Sequence, residues 1–70
     1  MPRPVLPGLF YWRVRRAIAQ QEIANLVGID LGTVQRLESG GLADVATVRR
    51  LAEILRVDAD DLLQEPPTEP

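Results

Sequence analysis

Seventy residues give room for one small domain, and a chain of this size hides only about 60% of the surface it exposes when unfolded, so its core must be built from closely packed elements. The chain has no cysteine and no histidine, which excludes disulfides, cysteine or histidine metal centres and catalysis through an imidazole base. The net charge of −2 is unevenly spread: residues 1–56 hold all eight arginines and five acids, a net of +3, whereas residues 57–70 hold five acids and no cation, a net of −5.

The opening stretch, MPRPVLPGLF, is broken by prolines and lacks the continuous apolar run of a leader or a membrane span. The expected compartment is therefore the cytoplasm, with no membrane partner. Residues 1–7 read as an extended lead that places Pro7 near the start of a first helix. That helix is expected over 8–17, with Val5, Leu9 and Trp12 on one buried face at i, i+4 and i+7. Phe10, Tyr11 and Trp12 are consecutive and cannot share a face. With Trp12 placed in the core, Phe10 and Tyr11 are left partly exposed. Arg15 and Arg16 read either as a solvated face or as charges that steer an anionic partner.

A second helix is expected over 20–27, with Ile23, Ala24 and Val27 as its apolar stripe. Gly28 stands where a left-handed residue ends a helix, and Asp30 stands where a carboxylate caps the next one. The third helix is expected over 31–39, with Leu31, Val34, Leu37 and Glu38 turned inward and Gly40-Gly41 ending it. Asp44 caps a fourth helix over 45–56, where Val45, Val48, Leu51, Ala52 and Leu55 recur at helical spacing. Asp58 caps a short fifth helix whose Leu62 and Leu63 close the core. Residues 64–70, QEPPTEP, are polar and proline-rich and are expected to be disordered. The organisation expected is a lead over 1–7, an all-α domain over 8–63 and a tail over 64–70.

The informative segment is QQEIANLVGIDLGTVQRLESG, residues 20–40. Ala24 is small where two helices must approach. Gly28 supplies a positive φ in a short turn, Ile29 plugs that turn into the core, and Val34 fills the angle between the helices. Two helices joined in this way form a helix-turn-helix, here spanning 20–39. On these residues the chain resembles the Cro/phage-repressor type of helix-turn-helix, the XRE family, over 9–63. The later run ATVRRLAEILRVDADDLL is similar to that family's fourth and fifth helices. The resemblance implies a compact five-helix, lambda-repressor-like fold. It also implies an ion pair between Arg13, seven residues before the motif glutamine, and Glu38, eighteen after it.

The resemblance further implies a sequence-specific DNA-binding transcriptional regulator, with the third helix in the major groove of double-stranded DNA and the second lying across the backbone. Gln20 would hold a phosphate at a helix N-terminus. Arg36 would make a bidentate contact to a guanine edge, Thr33 would touch phosphate or a thymine methyl, and Leu31, at the edge of the inward stripe, would either be core or meet a thymine methyl. Gly32 has no side chain to read with and would let the backbone come close to DNA. The sequence departs from the family in the loop SGGLADV, which is one residue short and lacks its usual cations, and in Phe10, Asp30, Leu31 and Gly32, which replace residues that are commonly polar or basic.

The acidic total, the weakly basic third helix and the exposed Phe10 and Tyr11 leave open a second reading, an antitoxin-like or adaptor module that binds protein on the same fold. Enzyme chemistry is not expected, because no acid/base pair or phosphate loop stands out. No cofactor or metal is implied. A homodimer or a larger protein partner is expected to supply a second DNA contact, with candidate surfaces at Leu62 and Leu63 or at Phe10 and Tyr11.

Overall fold

A computed structural model describes residues 4–67 as five helices in succession, with no β-strand among the described residues: α1 Leu9–Arg15, α2 Gln20–Val27, α3 Leu31–Glu38, α4 Val45–Leu55 and α5 Ala59–Leu63. The bounds of α2 are those expected from its apolar stripe. α3 and α4 each end one residue early, because Ser39 and Arg56 are their C-caps. The radius of gyration, 11.0 Å, is that of a single packed domain of this length.

The ends of the helices follow from backbone hydrogen bonding. A helix leaves its last carbonyls without partners, and a left-handed residue lets the next two N–H groups turn back to them. At α2 that residue is Gly28, φ 86°, and after α3 it is Gly40, φ 101°. The N–H of Ile29 reaches the Ala24 carbonyl at 3.0 Å, and that of Gly41 reaches the Arg36 carbonyl at 2.8 Å. The two other left-handed residues are not glycines: Ala17, φ 56°, and Arg56, φ 58°. Ala17 is the reason α1 stops two residues short of the expected end. The Ala17 N–H donates to Val14 and that of Ile18 to Arg13, closing the helix at Arg15.

The core holds Leu9 from α1, Ile23, Ala24 and Val27 from α2, Val34 and Leu37 from α3, Val48, Leu51, Ala52 and Leu55 from α4, and Leu62 from α5. Ile29 packs against it from the turn, and Trp12 is half-buried at its edge. Three expected core positions are exposed instead. Val5 is 44% exposed, and its neighbour Leu6 is buried instead; successive side chains of an extended segment point to opposite sides, so only one of the two can enter. Val45, the first residue of α4, is exposed, and so is Leu63, the last of α5. α5 is little more than one turn long and offers only Leu62 to the interior.

The described part of the N-terminal lead, from Pro4 onward, is held at two points. Val5 forms an antiparallel bridge with Leu42, the Ala43 N–H donates to the Pro4 carbonyl at 2.8 Å, and the Gly8 N–H donates to Leu62 at 3.1 Å. A Cβ on Gly8 would stand 2.4 Å from the Asp61 carbonyl oxygen, so the crossing of lead and α5 requires glycine there. Of the expected tail, 68–70 lie outside the described residues; within 64–67, Pro66 is half-buried and lines one surface groove with Pro7, Phe10, Tyr11 and Val14.

Candidate nucleic-acid interface

α2 and α3 pack through Ala24 and Val34, both fully buried, and this fixes the angle at which α3 is presented. The opposite side of α3 carries Gly32, Gln35 and Arg36, all exposed, with Leu31 and Thr33 half-buried at its margins. Four of the five expected contact residues, Leu31, Gly32, Thr33 and Arg36, thus lie on one helix, and Gln20 begins the neighbouring one. Gln35 was not among the sequence-derived candidates, yet it shares the exposed surface. A Cβ at Gly32 would meet nothing closer than the Asp30 carboxylate at 3.5 Å, so the fold itself does not demand glycine there.

The α3 end is locked to α1 by Arg13 and Glu38. The Arg13 Nε donates to Glu38 Oε2 at 2.5 Å and Nη2 to Oε1 at 3.2 Å, while Nη1 donates to the Ile18 carbonyl at 2.8 Å. The two side chains are only 10% and 7% exposed. A fork-on-fork pair of this kind sets orientation as well as separation. The Gln20 amide joins it, with Nε2 donating to Glu38 Oε1 at 2.9 Å. The expected phosphate residue is therefore also part of the network that fixes α3, a link that sequence spacing does not reveal. Ala19, the N-cap of α2, makes no side-chain hydrogen bond, which leaves the first-turn N–H groups of α2 without a capping side chain.

Asp30 is extended and precedes α3 as expected, but its carboxylate accepts from the Thr33 hydroxyl. That bond, aided by the N–H of Asp30 itself, holds the carboxyl below its ordinary value of 3.8, and Arg36 adds a smaller attraction. The negative charge suits the N-terminal end of α3. With its hydrogen turned to Asp30, the Thr33 hydroxyl keeps only acceptor capacity, and its methyl remains as a contact group.

Arg16 is tied to the end of α4. Its Nε donates to the Leu55 carbonyl at 2.7 Å and its Nη2 to that of Arg56 at 3.4 Å. It thereby supplies the cation that the last turn of α4 lacks. Arg13, Arg15 and Arg16 also stack over Phe10, Tyr11 and Trp12, at 5.4, 5.3 and 5.7 Å from the ring centroids. Phe10 is 57% exposed, as expected, and Tyr11 is half-buried. Among the described residues, no three Asp, Glu, His or Cys side chains are placed to hold a metal ion, and no helix is long and apolar enough to cross a membrane.

Two short helices crossing at a glycine turn, with the second locked by an ion pair and exposed along its outer side, define a helix-turn-helix fold. A helix-turn-helix family description matches residues 9–62, and the chain belongs to that family, of Cro/phage-repressor or XRE type. The fold is similar to the solution structure of the SOS-response transcriptional repressor LexA from Eubacterium rectale, with a TM-score of 0.76 over 90% of this chain and 72% of that one, at 22% identity. No curated protein matches the chain significantly.

Proposed function

We propose that the protein is a sequence-specific transcriptional regulator that inserts α3 into the major groove of double-stranded DNA and lays α2 across the backbone. The observation that carries this reading is the pairing of a buried, ion-paired inner side of α3 with an exposed outer side bearing Arg36. Arg36 reads a guanine edge, Thr33 and Leu31 meet thymine methyls or sugar, and Gly32 admits the backbone of the duplex. Gln20 and the uncapped first turn of α2 hold a phosphate. One copy offers few base-reading side chains, so two copies bind together, with recognition helices about 34 Å apart on successive half-sites. Selection from randomised duplexes tests the reading. An enriched motif with two spaced half-sites is expected, and the absence of any enriched sequence overturns it.

A second reading, a protein-binding module, is favoured by one feature. Pro7, Phe10, Tyr11, Val14 and Arg15 line a largely apolar surface groove of about 330 Å³, in which Phe10 and Val14 are more than half exposed. Failure of the duplex selection would move the assignment to that reading.

A further inference from the structure

The loop between α3 and α4 lacks the cations that would grip phosphate, yet backbone hydrogen bonds tie it to α3 on one side and to the N-terminal lead on the other. The Gly41 N–H donates to the Arg36 carbonyl at 2.8 Å, Leu42 bridges to Val5, and the Ala43 N–H donates to Pro4 at 2.8 Å. Gly41 is what allows the loop to fold this closely, since a Cβ there would stand 2.7 Å from the Arg36 Cγ and 2.8 Å from its carbonyl oxygen. The outcome is an anchored leucine left 56% exposed. Leu42 shares a surface groove of about 220 Å³ with Thr33 and Arg36, two of the side chains assigned to base contacts.

An aliphatic side chain held open to water has no role in the core. Its backbone is already fixed, so contact with a ligand costs little further ordering. In the major groove, the base-edge group that an aliphatic side chain recognises is the thymine C5-methyl. We propose that Leu42 is a further specificity-determining residue that contacts a thymine methyl next to the base read by Arg36. The N-terminal lead, through Val5 and Pro4, positions it. This inference rests on the DNA-binding reading above and adds to it a reader outside α3.

The test uses the full chain and the duplex its own selection yields. Each thymine of that duplex is replaced in turn by 2′-deoxyuridine, which deletes the methyl and nothing else. At one thymine of each half-site the intact protein is expected to lose about fourfold in affinity, the value of one buried methyl-sized group. Leu42→Ala should bind the thymine and uracil duplexes equally at that position, while Leu31→Ala and Thr33→Ala keep the difference. Because Leu42 is exposed, its melting temperature should not change, and a thermal melt checks this. If Leu42→Ala keeps every uracil penalty of the parent, the inference is overturned while the DNA-binding reading stands. If the intact chain selects no duplex, the DNA-binding reading falls, and this inference falls with it.

Discussion

The Arg13 guanidinium and the Glu38 carboxylate, 25 residues apart in sequence, meet through two hydrogen bonds and tie α1 to the last residue of α3. Removing one member of a pair so nearly buried leaves the other charge without compensation, at a cost of about 3 kcal/mol. In a domain of this size that corresponds to a fall of roughly 12–24 °C in melting temperature. Glu38→Ala is therefore expected to melt far below the parent in a thermal scan. A fall of only a degree or two would show that the pair contributes no more than a surface contact.

Arg16 is expected to behave as a structural residue. Arg16→Ala takes its guanidinium from the Leu55 and Arg56 carbonyls at the end of α4, a loss of about 1–2 kcal/mol. Chemical denaturation should report this loss, and duplex selection should return the same motif as the parent. A changed motif at unchanged stability would assign Arg16 to the DNA surface.

Ala17 holds a left-handed backbone, φ 56°, that a Cβ disfavours. Glycine adopts that conformation freely but loses more entropy on folding, so the net gain from Ala17→Gly is about 0.5–1 kcal/mol. The prediction is a higher denaturation midpoint with unchanged slope. Destabilisation would mean that the exposed Ala17 methyl contributes more than the strain it brings.

Recognition and anchoring separate in two variants. Arg36→Ala is expected to cost roughly 1–3 kcal/mol on the selected duplex and to flatten preference at one base position. Gln20→Ala should weaken all duplexes to a similar degree. Because the Gln20 amide also bonds Glu38, its melting temperature is measured alongside. Binding by Arg36→Ala that matches the parent on every sequence would remove Arg36 from the base-reading set.

Asp30 links stability to pH. Its carboxyl is held below 3.8 in the folded chain, chiefly by the Thr33 hydroxyl, so folding favours the ionised form. The contribution is complete above the ordinary value of 3.8 and is lost as the pH falls through the lowered folded value. The difference in melting temperature between the parent and Asp30→Asn should therefore be largest near neutral pH and shrink on acidification. A difference that stays the same on acidification would show that the Asp30–Thr33 bond does not hold in solution.

The sequence by itself determined the elements whose causes are local. Apolar spacing set α2, Gly28 marked the left-handed turn, and Asp44 capped α4, its carboxylate accepting from the Thr47 N–H at 2.7 Å. These features rest on backbone conformation and hydrogen bonds within a few residues, so composition and spacing carry them. The outward placement of Arg36 followed from the same periodicity, the exposed Gln35 was not singled out by it, and the Arg13–Glu38 pair was legible only through resemblance to a family.

The tertiary structure decided what depends on groups far apart in the chain. Ala17 and Arg56 are left-handed without being glycine, because neighbouring hydrogen bonds hold them so, and nothing in their side chains announces it. Arg16 looked like a surface charge until α4 brought the Leu55 carbonyl, 39 residues away, within reach. Leu6 rather than Val5 entered the core because the bridge to Leu42 sets which side of the lead faces inward. Leu42 came to stand beside Arg36 for a related reason: the lead and Gly41 fix the loop from opposite sides, and only the assembled chain brings them together.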